Sequence, residues 1–168
     1  MEIRISDPGF ERELAVCFTG HRPDKLPWGA NEQDERCAAF KRRLENEIMR
    51  AYDEGARFFL SGMADGVDVI AAEAVLGLAR KCPDMKLIAV FPFGFGSSPR
   101  KKHIAKQAYS VISLRPEYVS SCYMDRNRFL VDHSSRIICG FSGNLATGTG
   151  STIRMAQREG LKMIIINV

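Results

Sequence analysis

Apolar residues fall along this chain in two alternating patterns: short unbroken runs, and longer stretches in which they recur every three or four positions. The runs are Leu14 to Thr19, Ala56 to Ser61, Lys86 to Phe91, Val111 to Leu114, Arg136 to Phe141 and Lys162 to Ile166. Strands that are apolar throughout, rather than at alternate positions, are buried on both faces of a sheet. Between them, Cys37, Phe40, Leu44, Ile48 and Tyr52 form one stripe of a helix predicted over Glu32 to Tyr52, with Gly55 placed as a C-cap. Val67, Ile70, Ala71, Ala74, Val75 and Leu78 make a second helix, from Val67 to about Arg80. Ser98-Pro99, an N-cap followed by proline at the first helical position, opens a third that reaches about Ser110. Ser120 or Ser121 caps a fourth that runs to about His133, and Ser151 to Glu159 is a fifth, stopped by Gly160.

Strands and helices therefore alternate without a hairpin signal. Parallel neighbours need helical crossovers, and right-handed crossovers cover both faces of the sheet. The prediction is an α/β fold of Rossmann-like, three-layer type, with a mostly parallel sheet of about six strands and helices on both faces. No composition shift marks a second domain, so residues 1 to 168 read as one unit. Residues 1 to 13, with the turn Asp7-Pro8-Gly9, read as a loosely attached lead-in.

Composition narrows the class. Hydrophobic residues make up 45% and charged residues 26% of the 168, as in globular proteins with one core. No apolar run approaches the ~20 residues that span a bilayer, and Met1 to Asp7 lacks the layout of a signal peptide, so no membrane partner and a cytoplasmic location are expected. Cys17, Cys37, Cys82, Cys122 and Cys139 are odd in number and form no C-x-x-C pair. They read as reduced, mostly buried residues and not as a zinc site or a disulfide framework. The net charge of +4 comes partly from Lys41-Arg42-Arg43 and Arg100-Lys101-Lys102. Such runs read as solvated helix faces before they read as a nucleic-acid footprint.

Candidate chemistry lies where the strands end. In open α/β sheets ligands bind beyond the carboxyl ends of the strands, near the point where strand order reverses. Glycine and hydroxyl residues collect at three such ends: Thr19-Gly20, followed by His21 and Arg22; Ser61-Gly62, followed by Gly66; and Gly148-Thr149-Gly150-Ser151-Thr152. Each is expected to feed a helix whose free N–H groups and positive dipole end suit a phosphate. Three converging loops predict a nucleotide-type ligand. The segment at Gly148 lacks the lysine and spacing of a P-loop, and no G-x-G-x-x-G is present. Phosphate must then be held by backbone, hydroxyls and arginine, with Arg22 and Arg126 as the bidentate donors. Asp65 stands where a helix cap or dipole partner would, and Asp68 could meet a ribose hydroxyl or orient the loop. His21 is a candidate general acid or base, but no nucleophile with a supporting carboxylate accompanies it. His103 and His133 read as surface residues, and no spacing recommends metal ligation. The loop from Gly20 to Asn31 is long for a connection that takes about 2 to 6 residues, and Leu26, Pro27 and Trp28 can fold back as a lid on the core.

Four blocks, Cys17 to Pro23, Phe59 to Asp68, Arg126-Asn127-Arg128-Phe129-Leu130-Val131-Asp132 and Gly148 to Thr152, occur in order and together resemble the YpsA-like family of the SLOG superfamily. The resemblance runs from about residue 14 to the C-terminus. It implies a Rossmann-like fold and a nucleotide-derived ligand, ADP-ribose-like or another nucleoside phosphate, bound across the strand edge by these blocks, Asn127 included, with the protein acting as sensor or carrier. SLOG relatives include the Lonely Guy phosphoribohydrolases, which release a base from a nucleoside monophosphate, and DNA-processing protein A, whose Ser-Gly-x-Ala-x-Gly-x-Asp is similar to Ser61 to Asp68. These relatives keep two alternatives open: a nucleosidase using His21, Asp65 or Asp68, and a single-strand nucleic-acid binder. The Lonely Guy pattern P-G-G-x-G-T-x-x-E places its glutamate where this chain has Thr152, and a hydroxyl cannot replace a carboxylate as general base. No cofactor beyond the nucleotide ligand is implied, and a homo-oligomer is compatible with the sequence.

Overall fold

The computed structural model describes residues 7–168. Six strands form one parallel sheet: β1 Ala15–Gly20, β2 Phe58–Ser61, β3 Lys86–Phe91, β4 Ser110–Ser113, β5 Arg136–Phe141 and β6 Lys162–Asn167, in the order β4-β3-β2-β1-β5-β6. The crossovers carry α1 Glu35–Asp53, α2 Val67–Ala79, α3 Pro99–Gln107, α4 Cys122–Asp132 and α5 Gly148–Arg158. This is the expected Rossmann-like, three-layer arrangement. The chain steps outward from β1 to β4, returns over the sheet, and resumes on the other side of β1 with β5. The order therefore reverses between β1 and β5, which pair from Val16 with Arg136 to Gly20 with Gly140.

The sheet separates two apolar layers. On one side α1, α2 and α3 seal Val16, Phe18, Phe59 and Leu87; on the other α4 and α5 seal Cys17, Leu60, Ile88, Ile137 and Cys139. Alternate side chains of a strand point to opposite faces, so β1 and β5 need apolar residues at every position to serve both. Leu26 and Trp28 fold back into the first layer, Trp28 against Phe40 with ring centroids 5.4 Å apart, while Pro27 stays exposed.

Several boundaries differ from the sequence pattern, each for a local reason. α1 begins at Glu35, because the Asp34 side chain accepts the Arg36 N–H and fixes the start there. α5 begins at Gly148 and not at Ser151, because the Thr147 hydroxyl accepts the Gly150 N–H. The Gly-Thr-Gly segment, glycine-rich enough to read as a loop, is the first turn of a capped helix. Ser121 sits at the cap position of α4, but its hydroxyl donates to Asp125. Residues 1–6 of the predicted lead-in lie outside the described residues. Residues 7–13 are tied down: Phe10 stacks on Phe58 at 5.1 Å, and Arg12 Nε donates to the Ser134 carbonyl at 3.0 Å.

Two glycines set the level of α2 over the sheet. Gly20 and Gly140 lie side by side at the carboxyl ends of β1 and β5, and Val67 descends onto both. A Cβ on Gly20 would overlap the Val67 side chain, and one on Gly140 would come within 2.8 Å of Val67 Cγ2. The first turn of α2 is thereby pressed against the switch point.

Candidate functional site

A cavity of about 450 Å³ opens at that switch point. Its floor is Phe18, Thr19 and Gly20 from the end of β1; its walls are His21 and Arg22, then Ala64 and Asp68, the α4 face, and Thr147 to Thr149 with Thr152. Tyr123, Arg126, Asn127 and Leu130 supply the α4 wall. Their spacing of three and four residues puts them on one helix face, so Tyr123 and Leu130 were readable from the sequence once Arg126 was placed. The lining also includes Asp24 and Lys25, in a 3₁₀ turn over Pro23–Lys25, and Asn144 and Ala146 before α5, none of which carries a motif.

Of the sequence candidates, Thr19, Gly20, His21, Arg22, Asp68, Arg126, Asn127, Gly148, Thr149 and Thr152 share this cavity. Ser61, Gly62, Gly66, Gly150 and Ser151 do not line it. Ser61 is fully buried, its hydroxyl donating to the Asp68 carbonyl and accepting the Met63 N–H, so it braces the loop after β2. Gly62 makes room for Arg126: a Cβ there would stand 2.6 Å from Arg126 Cδ and 3.0 Å from Asp68 Oδ2. Gly66 lies under the His21 carbonyl, and Gly150 lies against the backbone of Leu145. The expected cap role of Asp65 is also corrected. Gly66 holds the cap position of α2 without a side-chain bond, and Asp65 projects outward to pair with Lys101 at 3.2 Å.

The expectation that each loop feeds a helix directly holds for the loops after β2 and β5, and free N–H groups remain at the second of these. The chain after β1 enters a 3₁₀ turn before reaching α1 at Glu35. At α2 the first-turn N–H groups of Val67 and Val69 are spent internally, on the His21 and Ala64 carbonyls, and in the loop before it Ala64 N–H donates to Asp68 Oδ2 at 3.3 Å. At α5, Thr147 takes the N–H groups of Gly150 and Ser151. The first-turn amides of Gly148 and Thr149, at the cavity wall, remain for a ligand.

Arg126 is the strongest electrostatic feature. It is only 6% exposed, although the helix carrying it could have turned it to water. Its Nη1 donates to the Gly62 carbonyl at 2.7 Å and its Nε to Asn127 Oδ1 at 3.0 Å. Among the described residues no carboxylate reaches Arg126 or Arg22 within ion-pair distance. Both guanidinium groups lie over the Tyr123 ring, at 5.3 Å for Arg22 and 5.8 Å for Arg126. Burial, with Arg22 adding to it, lowers the pKa of Arg126, and Asp68 opposes. Burial likewise raises the pKa of Asp68 against the pull of Arg126 and Arg22. Two cations held together in a partly desolvated cleft favour an anion between them.

His21 latches the cavity and is 2% exposed. Its Nε2 accepts the Ser142 backbone N–H at 3.1 Å and lies 2.8 Å from the Ser142 hydroxyl. An amide can only donate, so the imidazole is neutral with its proton on Nδ1. Burial, helped by the charge of Lys25 and opposed by Asp24, lowers its pKa. The unfolded chain then binds the proton more readily than the folded one. Stability is expected to be complete above the unfolded histidine value of about 6.5 and to fall as pH drops from there toward the folded pKa. His133, whose pKa burial also lowers, contributes in the same direction. Urea midpoints taken from pH 7 to 5 should fall in the wild type and fall less in His21→Asn; an identical slope in both would assign the effect elsewhere.

Thr152, 1% exposed, donates its hydroxyl to the Gly148 carbonyl at 3.2 Å. No group of three or more His, Cys, Asp or Glu able to hold a metal occurs among the described residues, and none of their helices is long and apolar enough to cross a membrane.

UPF0398 protein YpsA of Bacillus subtilis (strain 168) is 25% identical over 134 residues, 73% of each chain. A UPF0398 protein of Bacillus velezensis, RBAM_020340, is 24% identical over 155 residues, 86% of this chain and 84% of that protein. A crystal structure of S. aureus homoserine dehydrogenase aligns over 93% of this chain and 33% of that one at 10% identity, with a TM-score of 0.27 that carries no argument. The family model described as the YspA SLOG family matches residues 16–166, from the second residue of β1 to the last strand. The chain belongs to the YpsA family of SLOG proteins.

Proposed function

We propose that the protein binds a nucleotide-derived small molecule at the β1–β5 switch point, as a sensor or carrier working in the cytoplasm. The observation that carries this reading is the buried Arg126 beside Arg22, without an ion-pairing carboxylate among the described residues, facing the free first-turn amides of α5. A phosphate between them gains charge-assisted hydrogen bonds from a guanidinium fork and a helix N-terminus together. The cavity volume falls within the range of about 300 to 1,000 Å³ typical of small-molecule sites. Family membership points the same way, since SLOG proteins as a group suggest a nucleotide-related role. The test is calorimetric titration with AMP, ADP-ribose and NAD. Saturable binding at micromolar to sub-millimolar ligand is expected, and no heat from any of them at millimolar concentration would end the reading.

Asp68 supports a second reading, a nucleosidase. It is a cavity-lining carboxyl whose pKa burial raises, the direction that favours a carboxylic acid as proton donor. Incubation with nucleoside monophosphates should then release free base, and Asp68→Asn should stop the release. Base release unaffected by the substitution would remove Asp68 from that role.

A further inference from the structure

Beside the first cavity lies a second of about 470 Å³, between the β2–α2 loop and the segment Phe91 to Ser97 that follows β3. The two share Arg22, Ala64, Tyr123 and Arg126, and differ in character. The first is walled by hydroxyls, amides and charge. The second adds the rings of Phe91, Phe93 and Phe95 with Met63, and its own polar side chains are Ser97 and the mutually paired Lys101 and Asp65. Phe93 meets Tyr118 and Tyr123 edge-on at 5.7 and 6.3 Å, and Phe95 is 63% exposed at the rim. A cluster of rings open to solvent beside a cationic cleft is unusual on a monomeric surface.

The backbone between the cavities is strained in a way that serves both. Met63 adopts a left-handed conformation, φ 60°, though it is not glycine and its side chain is buried. Such a conformation is strained in an ordinary residue and persists where its surroundings enforce it. Here it follows the Gly62 carbonyl that Arg126 holds, and precedes Ala64, which lines both cavities. The turn places the small side chain of Ala64 on the boundary common to the two cavities, beside Arg22 and Arg126.

We infer that the two cavities are one bipartite site for a phosphate-bridged ligand: the bridge lies at the Arg22–Arg126 waist, a nucleoside half fills the polar cavity, and a planar second half stacks in the aromatic one. This rests on the proposed nucleotide reading and deepens it by naming the ligand class. A monophosphate would use the first cavity alone and leave Phe93 and its neighbours without a role. A pyrophosphate can accept from both guanidinium groups while its two ends diverge, and aromatic walls recognise the π-face of a base without reading its edge.

The experiment compares AMP with diadenosine diphosphate by calorimetry on the wild type, on Ser97→Trp and on Phe93→Ala. Ser97 lines only the second cavity and is exposed, so a tryptophan there fills the chamber from its rim. In the wild type the bridged ligand is expected to bind at least tenfold more tightly than AMP. Ser97→Trp should remove most of that gain and leave AMP binding unchanged, and Phe93→Ala should remove most of it as well. Equal affinity of the two probes, or a gain that survives both substitutions, would overturn the bipartite site and leave the nucleotide reading standing. Absence of binding by either probe would overturn both. Tighter binding of oligo-deoxyadenylate than of diadenosine diphosphate, lost steeply with salt, would replace the small ligand by a nucleic-acid strand.

Discussion

Arg126→Ala is expected to weaken AMP binding about a hundredfold while the protein remains folded. Hydrogen bonds to charged groups are each worth roughly 1.5 to 3 kcal/mol, and 1.4 kcal/mol is a factor of ten, so losing one guanidinium fork accounts for that factor. The stability effect is smaller because two terms oppose. The Gly62 carbonyl loses its 2.7 Å donor and Asp68 loses the cation that most favours its charged form, but the cleft is also relieved of a desolvated charge that Arg22 repels. A net loss of at most about 2 kcal/mol is expected. Arg126→Lys should recover only part of the affinity, since an ammonium keeps the charge without the planar fork. Calorimetry with AMP and urea denaturation separate the two quantities. Affinity unchanged within threefold in Arg126→Ala would remove the phosphate from α4.

Gly66→Ala is expected to cost about 3 kcal/mol of stability. Gly66 has φ +94° with ψ −130°, a region open essentially to glycine, which costs an L-residue about 1 to 3 kcal/mol. The added Cβ also meets the His21 carbonyl oxygen, with Arg22 Cα at 2.9 Å, and backbone atoms cannot swing aside as a side chain can. Overpacking of this kind adds about 1 to 3 kcal/mol. For a chain of this size the melting temperature should fall by roughly 10 °C. Gly29→Ala is the control: φ is +58° with open space around the Cβ, so it carries a backbone cost alone, of about 1 kcal/mol. Equal losses in the two variants would show that the His21 loop yields to Gly66→Ala. The same substitution should weaken AMP binding, because the displaced His21 and Arg22 line the cavity.

These effects bear on how function is built into the fold. The family relationship fixes the frame, but the features that would hold a ligand are those where the chain departs from ordinary packing: a buried arginine, a non-glycine in a left-handed turn, and paired glycines that let α2 press onto the switch point. Such departures collect where a structure over-determines its local geometry.

The layered fold was legible in the chain itself. Unbroken apolar runs separated by helical stripes admit a parallel sheet and little else, because strands buried on both faces cannot alternate polar with apolar positions. The strand-end location of the cavity was legible for the same reason, and so was the company of Thr19, Arg22, Asp68, Arg126 and Thr149. Division of labour within the glycine-rich blocks was not. Ser61, Gly62 and Gly66 look like ligand contacts in sequence, yet the tertiary structure spends them on the Asp68 carbonyl, the Arg126 stem and the His21 carbonyl. Whether Arg126 faced water or the cleft could not be read from an amphipathic helix with charges on several sides; docking α4 against β1 and β3 decided it. The aromatic cavity likewise unites Met63, Phe93 and Tyr123 from three separate crossovers. Local sequence sets periodicity and turns, and so determined the elements and their order. Which atoms of those elements converge on one cleft depends on contacts distant in sequence, and only the packed sheet brings them together.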